Sequence, residues 1–344
     1  MPSDPIDFVL PWVDATDPQW QASKARYLRE LDRYCDRDHG SLRYRETGTL
    51  RYVLRGIERF CPWYGRIHLI TQGHLPDWLE ADHPRIRIVT HRELYEDPTH
   101  LPTFNSSSIE MNLPNLQGVS ERFVYLNDDF LIIRPLKPER FFRKGLPVDF
   151  LMHGWIPRNG LYQALRDDSA WVKALNNNVR LINRIFRPRD LPASLLFAPE
   201  YDLSGKAANM MLRLLWRRYY FFRHWHYPQP YRLQTLREVR ERFHPEMMRC
   251  SANRFRDAED LTQYLYRYYH LAQGTFVPGR HDDGYRADLR NAEDLRRLER
   301  VLRGSAFNFV AIYDNFDAKS EDSMLAGLQD LLERYLPQKA SFER

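Results

Sequence analysis

Cysteine is scarce in this chain. Its 344 residues hold three, Cys35, Cys61 and Cys250, widely spaced and odd in number. That spacing excludes a disulfide framework and fits a reducing compartment. No CxxC pair occurs, so no thiolate zinc site is offered and the thiols read as structural. Long apolar runs are missing too: no segment approaches the roughly 18 apolar residues that cross a bilayer. The opening stretch MPSDPIDFVL has no basic region ahead of an apolar core, so it does not read as a secretory signal. Lysine is sparse, and the formal charge of +5 and pI near 9.0 come mostly from arginine. Guanidinium groups favour planar, bidentate partners such as phosphate. Internal repeats and low-complexity linkers are lacking as well, which sets solenoids and flexible arrays aside.

What remains is 43% hydrophobic and 28% charged, enough to bury a large core. IDFVLPWV from Ile6 reads as a buried strand that ends at Asp14. ATDPQWQASKARYLRELDRY then starts a helix, with Asp17 as N-cap and Pro18 at its first position. In TGTLRYVLRGIERFCP the residues Leu50, Val53, Leu54 and Ile57 form one apolar stripe, which puts Arg51, Arg55 and Arg59 on the opposite side, with Arg55 and Arg59 expected to face solvent. RIHLIT, RIRIVT and RFVYLN are short β-branched strands, so strands and helices alternate through about residue 135. That alternation predicts an α/β fold, a Rossmann-like, largely parallel sheet flanked by helices.

Beyond RPLKPERFF the pattern turns helical and aromatic, with a very basic run, RLLWRRYYFFRHWHYPQPYR. Leu212, Leu215 and Tyr219 recur there at helical spacing and predict a packed helix. AEDLTQYLYRYYHLAQ predicts an amphipathic helix, and FNFVAIYDNFD a late strand ending at Asp314 and Asn315. The expected organisation is an α/β core over 1–145, a helical addition over 146–245, and a return to the core over 246–344.

Three strand ends carry acids or amides: Asp14 and Asp17; Asn127, Asp128 and Asp129 in RFVYLNDDF; and Asp314 with Asn315. In an open α/β sheet the carboxyl ends of the strands are where ligands bind. Adjacent carboxylates repel, so a pair held close either raises a pKa or recruits a hard cation such as Mg²⁺. Turn formation alone also explains Asp and Asn after a strand; three such ends together favour a site. Arg43, Arg45 and Arg51, near the start of a helix, suit a diphosphate cradle, with Glu46 as a local partner. In HLPTFNSSSIE, Asn105 or Ser106 can cap the helix that contains Glu110, Asn105 can instead bond a sugar hydroxyl, and Glu110 is a further substrate-binding candidate. HWHYPQPY offers His224 and His226 in a Pro-broken loop, suited to general-base work or simple packing. Arg254 and Arg256 precede another helix, a further anion-binding arrangement.

These pieces occur together in longer motifs. IDFVLPWVDATDP, RYRETGTLRYVLRGIERFCPWYGRIHLITQGHLPDWL, HPRIRIVTH, HLPTFNSSSIE and ERFVYLNDDFLIIRPL closely resemble the first two conserved blocks of the Stealth family of sugar-1-phosphate transferases. HYPQPY with FHPEMMRCSANRFRDAEDLTQYLYRYYHLA is similar to the third block, and FNFVAIYDNFD to a shortened fourth. The resemblance implies that a nucleotide sugar, usually UDP-linked, gives its sugar-1-phosphate to an acceptor hydroxyl and releases the nucleoside monophosphate. It implies Asp14 and Asp17 as first-block acids, Asp128 and Asp129 as metal and phosphate ligands, and Arg45, Arg254 and Arg256 on the diphosphate. It implies His226 in the general-base position, and Asp314 and Asn315 as the fourth-block acid and amide, with Asp314 a further metal ligand. The implied cofactor is Mg²⁺ or Mn²⁺, and the partners are a nucleotide-sugar donor and a glycan or lipid-linked glycan acceptor. The middle segment HGWIPRNGLYQALRDDSAWVKALNNNVRLINRIF matches no block and is expected on the acceptor side.

The expected enzyme is cytoplasmic, with peripheral contact at the inner membrane through its basic helix, and binds no nucleic acid. Its rate is expected to fall as pH drops below an ordinary imidazole pKa, near about 6.5. Two alternatives share these features: a metal-dependent glycosyltransferase, which releases UDP, and a nonenzymatic polyanion- or glycan-binding protein.

Overall fold

The computed structural model describes residues 5–31, 40, 44–154, 170–279 and 282–344. Cys35, Arg43 and part of the middle segment lie outside them.

The central sheet is built from β1 (Ile6–Pro11), β2 (Ile67–Thr71), β3 (Ile86–Thr90) and β4 (Arg122–Tyr125), all parallel. β5 (Phe130–Ile132), β6 (Phe142–Arg143) and β7 (Leu146–Asp149) follow in the chain. β8 (Gln229–Arg232) then closes the central sheet antiparallel to β4, giving the order β3-β2-β1-β4-β8. Pro230 is tolerated in β8 because that strand pairs on one side only. After β9 (Val277–Pro278), β10 (Gly284–Leu289) and β11 (Phe309–Asp314) join β5 in a second sheet of order β10-β11-β5. β6, β7 and β9 form a third small sheet.

Alternation along the strands sorts two cores onto the two faces of the central sheet. Phe8, Leu10, Val124 and Leu126 face one core, with the second sheet and the C-terminal helices. Val9, Phe123 and Tyr125 face the other, packed by helices from the middle of the chain. The helices needed below are α1 (Pro18–Leu28), α2 (Thr49–Phe60), α3 (Ser106–Met111), α4 (Ala170–Ile185), α5 (Leu203–Met211), α6 (Leu233–Ala252), α7 (Tyr264–Gln273), α8 (Ala292–Arg303) and α9 (Glu321–Tyr335).

Asp17 caps α1, its carboxylate accepting from the Trp20 N–H at 2.6 Å, with Pro18 in the first turn. The α2 stripe Leu50, Val53, Leu54 and Ile57 is buried as its spacing requires, each side chain contributing roughly 1.5–3 kcal/mol. α2 also approaches β5 closely. A Cβ on Gly56 would lie 2.6 Å from the Ile132 carbonyl oxygen, so a larger residue there would push the two elements apart.

Three expectations about burial are corrected. Arg55 does not face solvent: it is 3% exposed, paired with Glu343 at 2.7 Å and Glu333 at 2.7 Å. The C-terminal segment folds over that side of α2, and nothing local in the α2 sequence foretells it. α7 is not amphipathic in its setting; every residue from Tyr264 to Ala272 is buried, and its charged face, Arg267 and His270, is turned inward onto Asp149. Leu212 and Tyr219 are buried as expected, but Leu215 is 71% exposed. The helix widens there, Arg217 N–H bonding the Leu212 carbonyl at 3.0 Å, five residues back instead of four. That wider turn rotates Leu215 off the buried face.

Candidate functional site

The acids converge because of strand order. β1 and β4 are neighbours, so the loop after Pro11 and the Asn127-Asp128-Asp129 turn leave the sheet side by side. β5 carries the chain from that turn into the second sheet antiparallel to β11, which brings the end of β11 back to the same place. The Ile312 N–H donates to the Asp129 carbonyl at 3.1 Å, and Asp314 follows two residues on. β8 runs antiparallel to β4 with Gln229 opposite Tyr125, so the loop carrying His226 enters at this same edge.

Burial dominates the electrostatics. Asp128 is half-buried, and its carboxyl is pushed up to about 7 by burial, then by Glu46 and Asp314. Asp129 is raised well above the carboxylate range by burial, Asp128 and Asp314. Its buried Oδ1 has no hydrogen-bond partner. Burial also raises Asp314, against the opposing pull of Arg45. Arg45 Nη1 donates to the Asp314 carboxylate and carbonyl, both at 3.1 Å, and its Nε lies 3.2 Å from Glu321. The guanidinium is 5% exposed, covers Phe316 at 4.4 Å and keeps a buried Nη2 with no partner.

Beside these groups lies a cleft of about 420 Å³, lined among others by Trp12, Asp14, Glu46, Arg51 and Trp78. Arg51 sits over the Trp78 ring at 5.0 Å. Asp14 accepts from Thr16 N–H and hydroxyl at 2.8 and 2.6 Å, and its own N–H donates to His74 Nε2 at 2.8 Å. Glu46 accepts from Trp12 Nε1 at 2.8 Å and Gly48 N–H at 2.7 Å. Burial raises it, those two donors lower it, and Asp14 raises it further.

His226 packs edge-on against Phe130 at 4.7 Å and faces Tyr313 at 5.8 Å, the neighbours of Asp129 and Asp314. Its Nδ1 lies 3.3 Å from the Tyr264 hydroxyl. Burial, and then Arg286, lower it to about 4, so the ring is neutral across the physiological range. This corrects the expectation of an ordinary imidazole. The loop is held from below by a buried ion pair. Arg267 bonds the Asp149 carboxylate at 2.8 and 2.9 Å and the Arg223 carbonyl at 3.0 Å, and His270 bonds the same carboxylate at 2.9 Å. Burial opposes ionisation of Asp149, but Arg267 and His270 hold it well below the usual range.

Other expected residues are placed differently. Asn105 caps α3 through Ser107 N–H at 3.1 Å, and its amide is spent on Asn253, Phe255 and Asp260 at 1% exposure. It is not free to bond a sugar, because α6 and the segment after it close over it. Glu110 is likewise buried, accepting from Gln263 N–H at 2.7 Å and Tyr125 hydroxyl at 3.3 Å, and burial lifts it to about 7. Arg254 donates to the carbonyls of Thr99 and Leu101 at 2.9 and 3.1 Å. Arg256 donates to Ser106 Oγ at 3.2 Å, beside Phe255, which packs with Phe104 and Trp20 near the loop after β1. Asn315 bonds Asp288, and Asp17 is occupied as the α1 cap.

Sequence reasoning missed Glu46, assigned only as an arginine partner, and His74, Glu321 and Arg286. Arg286 lies over Tyr313 at 4.0 Å. Glu46 sits inside a quoted motif, but GYRADL carries no signal for Arg286; only the β10–β11 pairing brings it here.

No group of three or more His, Cys, Asp or Glu side chains forms a ready metal cage among the described residues. The donors nonetheless suit a hard cation. Two adjacent carboxylates with raised pKa values and an orphaned Oδ1 match Mg²⁺, which binds through one or two carboxylates and takes its remaining ligands from water and phosphate.

The fold and its acids at the carboxyl edge of the strands are those of an α/β enzyme with a ligand cleft at the end of the sheet. Family models for Stealth protein conserved regions 1, 2 and 3 match residues 4–32, 43–148 and 225–273. The chain is 32% identical to a capsular polysaccharide phosphotransferase, WcwK, of Streptococcus pneumoniae, over 98% of both chains. It is 30% identical to a receptor polysaccharide phosphotransferase, WefC, of Streptococcus oralis, over 98% of this chain and 99% of that one. An exopolysaccharide phosphotransferase of Streptomyces coelicolor is 34% identical over 99% of this chain and 52% of its own. Among solved structures, the galactosyltransferase LgtC aligns over 96% of each chain at 11% identity, with a TM-score of 0.40. The chain belongs to the Stealth family and is an enzyme, a phosphotransferase. The nonenzymatic binding protein is thereby set aside. No helix of the described residues is long and apolar enough to cross a membrane.

Proposed function

We propose that the chain transfers a hexose-1-phosphate, an N-acetylhexosamine-1-phosphate above all, from a UDP-sugar to a glycan hydroxyl. The product is a phosphodiester, the leaving group is UMP, and the setting is synthesis of a capsule or other cell-surface polysaccharide from the cytoplasm. The observation that carries this reading is the Asp128–Asp129 pair. Two carboxylates with raised pKa values beside a buried arginine and an aromatic cleft suit a nucleoside diphosphate with its counter-ion.

The cleft between Trp12, Trp78 and Arg51 is assigned to the nucleoside, and the unpartnered Nη2 of Arg45 to the diphosphate. Arg256 supports the diphosphate from the loop before α7. Asp128 and Asp129 would hold Mg²⁺ or Mn²⁺, with Asp314 kept aside by Arg45. When bound, the ion supplies charge neutralisation for the bridging phosphates. His226, neutral and fixed against Phe130, takes the acceptor proton as the hydroxyl oxygen attacks the phosphorus that bears the sugar. A new O–P bond forms, the pyrophosphate link breaks, and its bridging oxygen leaves with UMP.

Incubation with a panel of nucleotide sugars, followed by chromatography of the nucleotide released, tests the reading. UMP in step with product supports it; UDP would make the chain a glycosyltransferase.

A further inference from the structure

α5 and the turn after it are inverted with respect to an ordinary surface helix. The face turned to the protein holds Gly205, Ala208 and Asn209. A Cβ on Gly205 would meet Met152 Sδ at 2.5 Å, and Asn209 donates to the carbonyls of Leu151 and Leu196 at 2.7 and 2.8 Å, so this face admits only small or hydrogen-bonded groups. The large apolar side chains point outward instead: Leu203 is 84% exposed, Met210 50%, Leu214 63% and Leu215 71%. Among the described residues these are four of the five large hydrophobics that are exposed. A globular helix faces its apolar stripe to the core; a concentration of outward leucines marks a surface that meets something apolar.

Charge says what that partner is. From Leu203 to Arg237 the sequence holds no Asp or Glu, while Lys206, Arg213, Arg217 and Arg218 lie in or just after the helix. Arg213, Arg217 and Arg218 make no ion pair among the described residues, whereas Arg223 and Arg232 of the same stretch pair with Asp202 and Glu121. A second copy of the chain seated here would bring these cations against each other, which opposes self-association. Outward leucines flanked by unpaired arginines fit the interfacial region of a bilayer, where apolar groups enter the acyl boundary and cations meet anionic headgroups. We infer that Leu203, Met210, Leu214 and Leu215, with Arg213 and Arg218, form a docking surface for an anionic lipid bilayer.

Co-sedimentation with vesicles tests this without reference to the transfer reaction. The protein should pellet with vesicles of phosphatidylcholine and phosphatidylglycerol, bind those of phosphatidylcholine alone much less, and be released by salt. Each arginine near the surface contributes about five-fold, so Arg213→Gln with Arg218→Gln should weaken binding roughly 25-fold. Leu214→Gln with Leu215→Gln should weaken it by about ten-fold or more. Leu214, Leu215 and Arg218 are exposed, and Arg213 is half-buried with no ion pair among the described residues, so the melting temperatures of both variants should match the parent's. Absence of vesicle binding, equal binding to both lipid mixtures, or full binding by either variant would overturn the inference. So would a solution dimer that the leucine variant dissolves, which would make a second copy the occupant.

Discussion

Asp128→Asn isolates the charge at the centre of the site. The carboxyl titrates at about 7 against an ordinary 3.8, because burial, then Glu46 and Asp314, oppose its ionisation. A displacement of that size corresponds to about 4 kcal/mol. The side chain is only half-buried and water screens part of the field, so about 1–2 kcal/mol is expected to survive. An acid whose folded pKa lies above its unfolded value binds its proton more tightly when folded. The parent therefore loses stability as pH rises from about 4 through about 7. Asparagine never ionises, so without divalent metal the variant should melt about 1–3 °C above the parent at pH near about 8, with the gap closing toward about 4. Mg²⁺ should raise the melting point of the parent and leave the variant unmoved, while turnover in the variant falls by about 10³-fold or more. Thermal melting across pH, with chelator and with Mg²⁺, beside nucleotide release, reads all three effects. A variant that melts below the parent in chelator at the higher pH, or turns over normally with Mg²⁺, would refute the reasoning.

Other outcomes follow from the same geometry. His226→Ala should lower turnover by about 10²- to 10⁴-fold while donor affinity, measured by calorimetry, changes little; loss of donor affinity with turnover preserved would assign the ring to binding. Because burial and Arg286 keep His226 at about 4, the acid limb of the rate profile belongs to the carboxylates. The parent rate should fall as pH drops below about 7, where Asp128 takes its proton, and this midpoint should move lower at saturating Mg²⁺. Arg45→Lys keeps the charge but loses the fork that bridges Asp314 and Glu321, so KM for the donor should rise about ten-fold or more with the fold unchanged by circular dichroism. Arg267→Leu leaves the buried Asp149 carboxylate with His270 as its one remaining side-chain partner, which should cost about 3–5 kcal/mol in denaturant unfolding.

Local pattern was enough to find β1 to β4, the Asp17 cap, the α2 stripe and the strand that ends at Asp314, because each rests on short-range periodicity or turn chemistry. The convergence of Asp14, Asp128 and Asp314 was legible only as a condition on strand order, which β1–β4 and β5–β11 pairing meet. Arg55 and Glu110 show where pattern fails. Each looks like a surface or ligand-facing charge, and each is covered by segments more than 150 residues away in the chain, Glu343 for Arg55 and Gln263 for Glu110. The cap role of Asn105 follows from its local sequence, but its second use, the amide bonds to Asn253, Phe255 and Asp260, depends on the same long-range closure. Leu215 fails for a different reason: one widened helical turn shifts the face, and no residue type in LRLLW announces it. Composition alone points to the His226 loop, while the neutral, half-buried state of the ring depends on Phe130 and Arg286, which the sequence keeps far apart.

The path of the phosphorus tests the central claim most directly. A UDP-N-acetylhexosamine labelled with ³²P at the phosphate next to the sugar, incubated with the protein, Mg²⁺ and acceptor glycan, should pass its label to the glycan and leave unlabelled UMP behind. Label recovered in free UDP, with sugar but no phosphorus on the glycan, would contradict sugar-1-phosphate transfer.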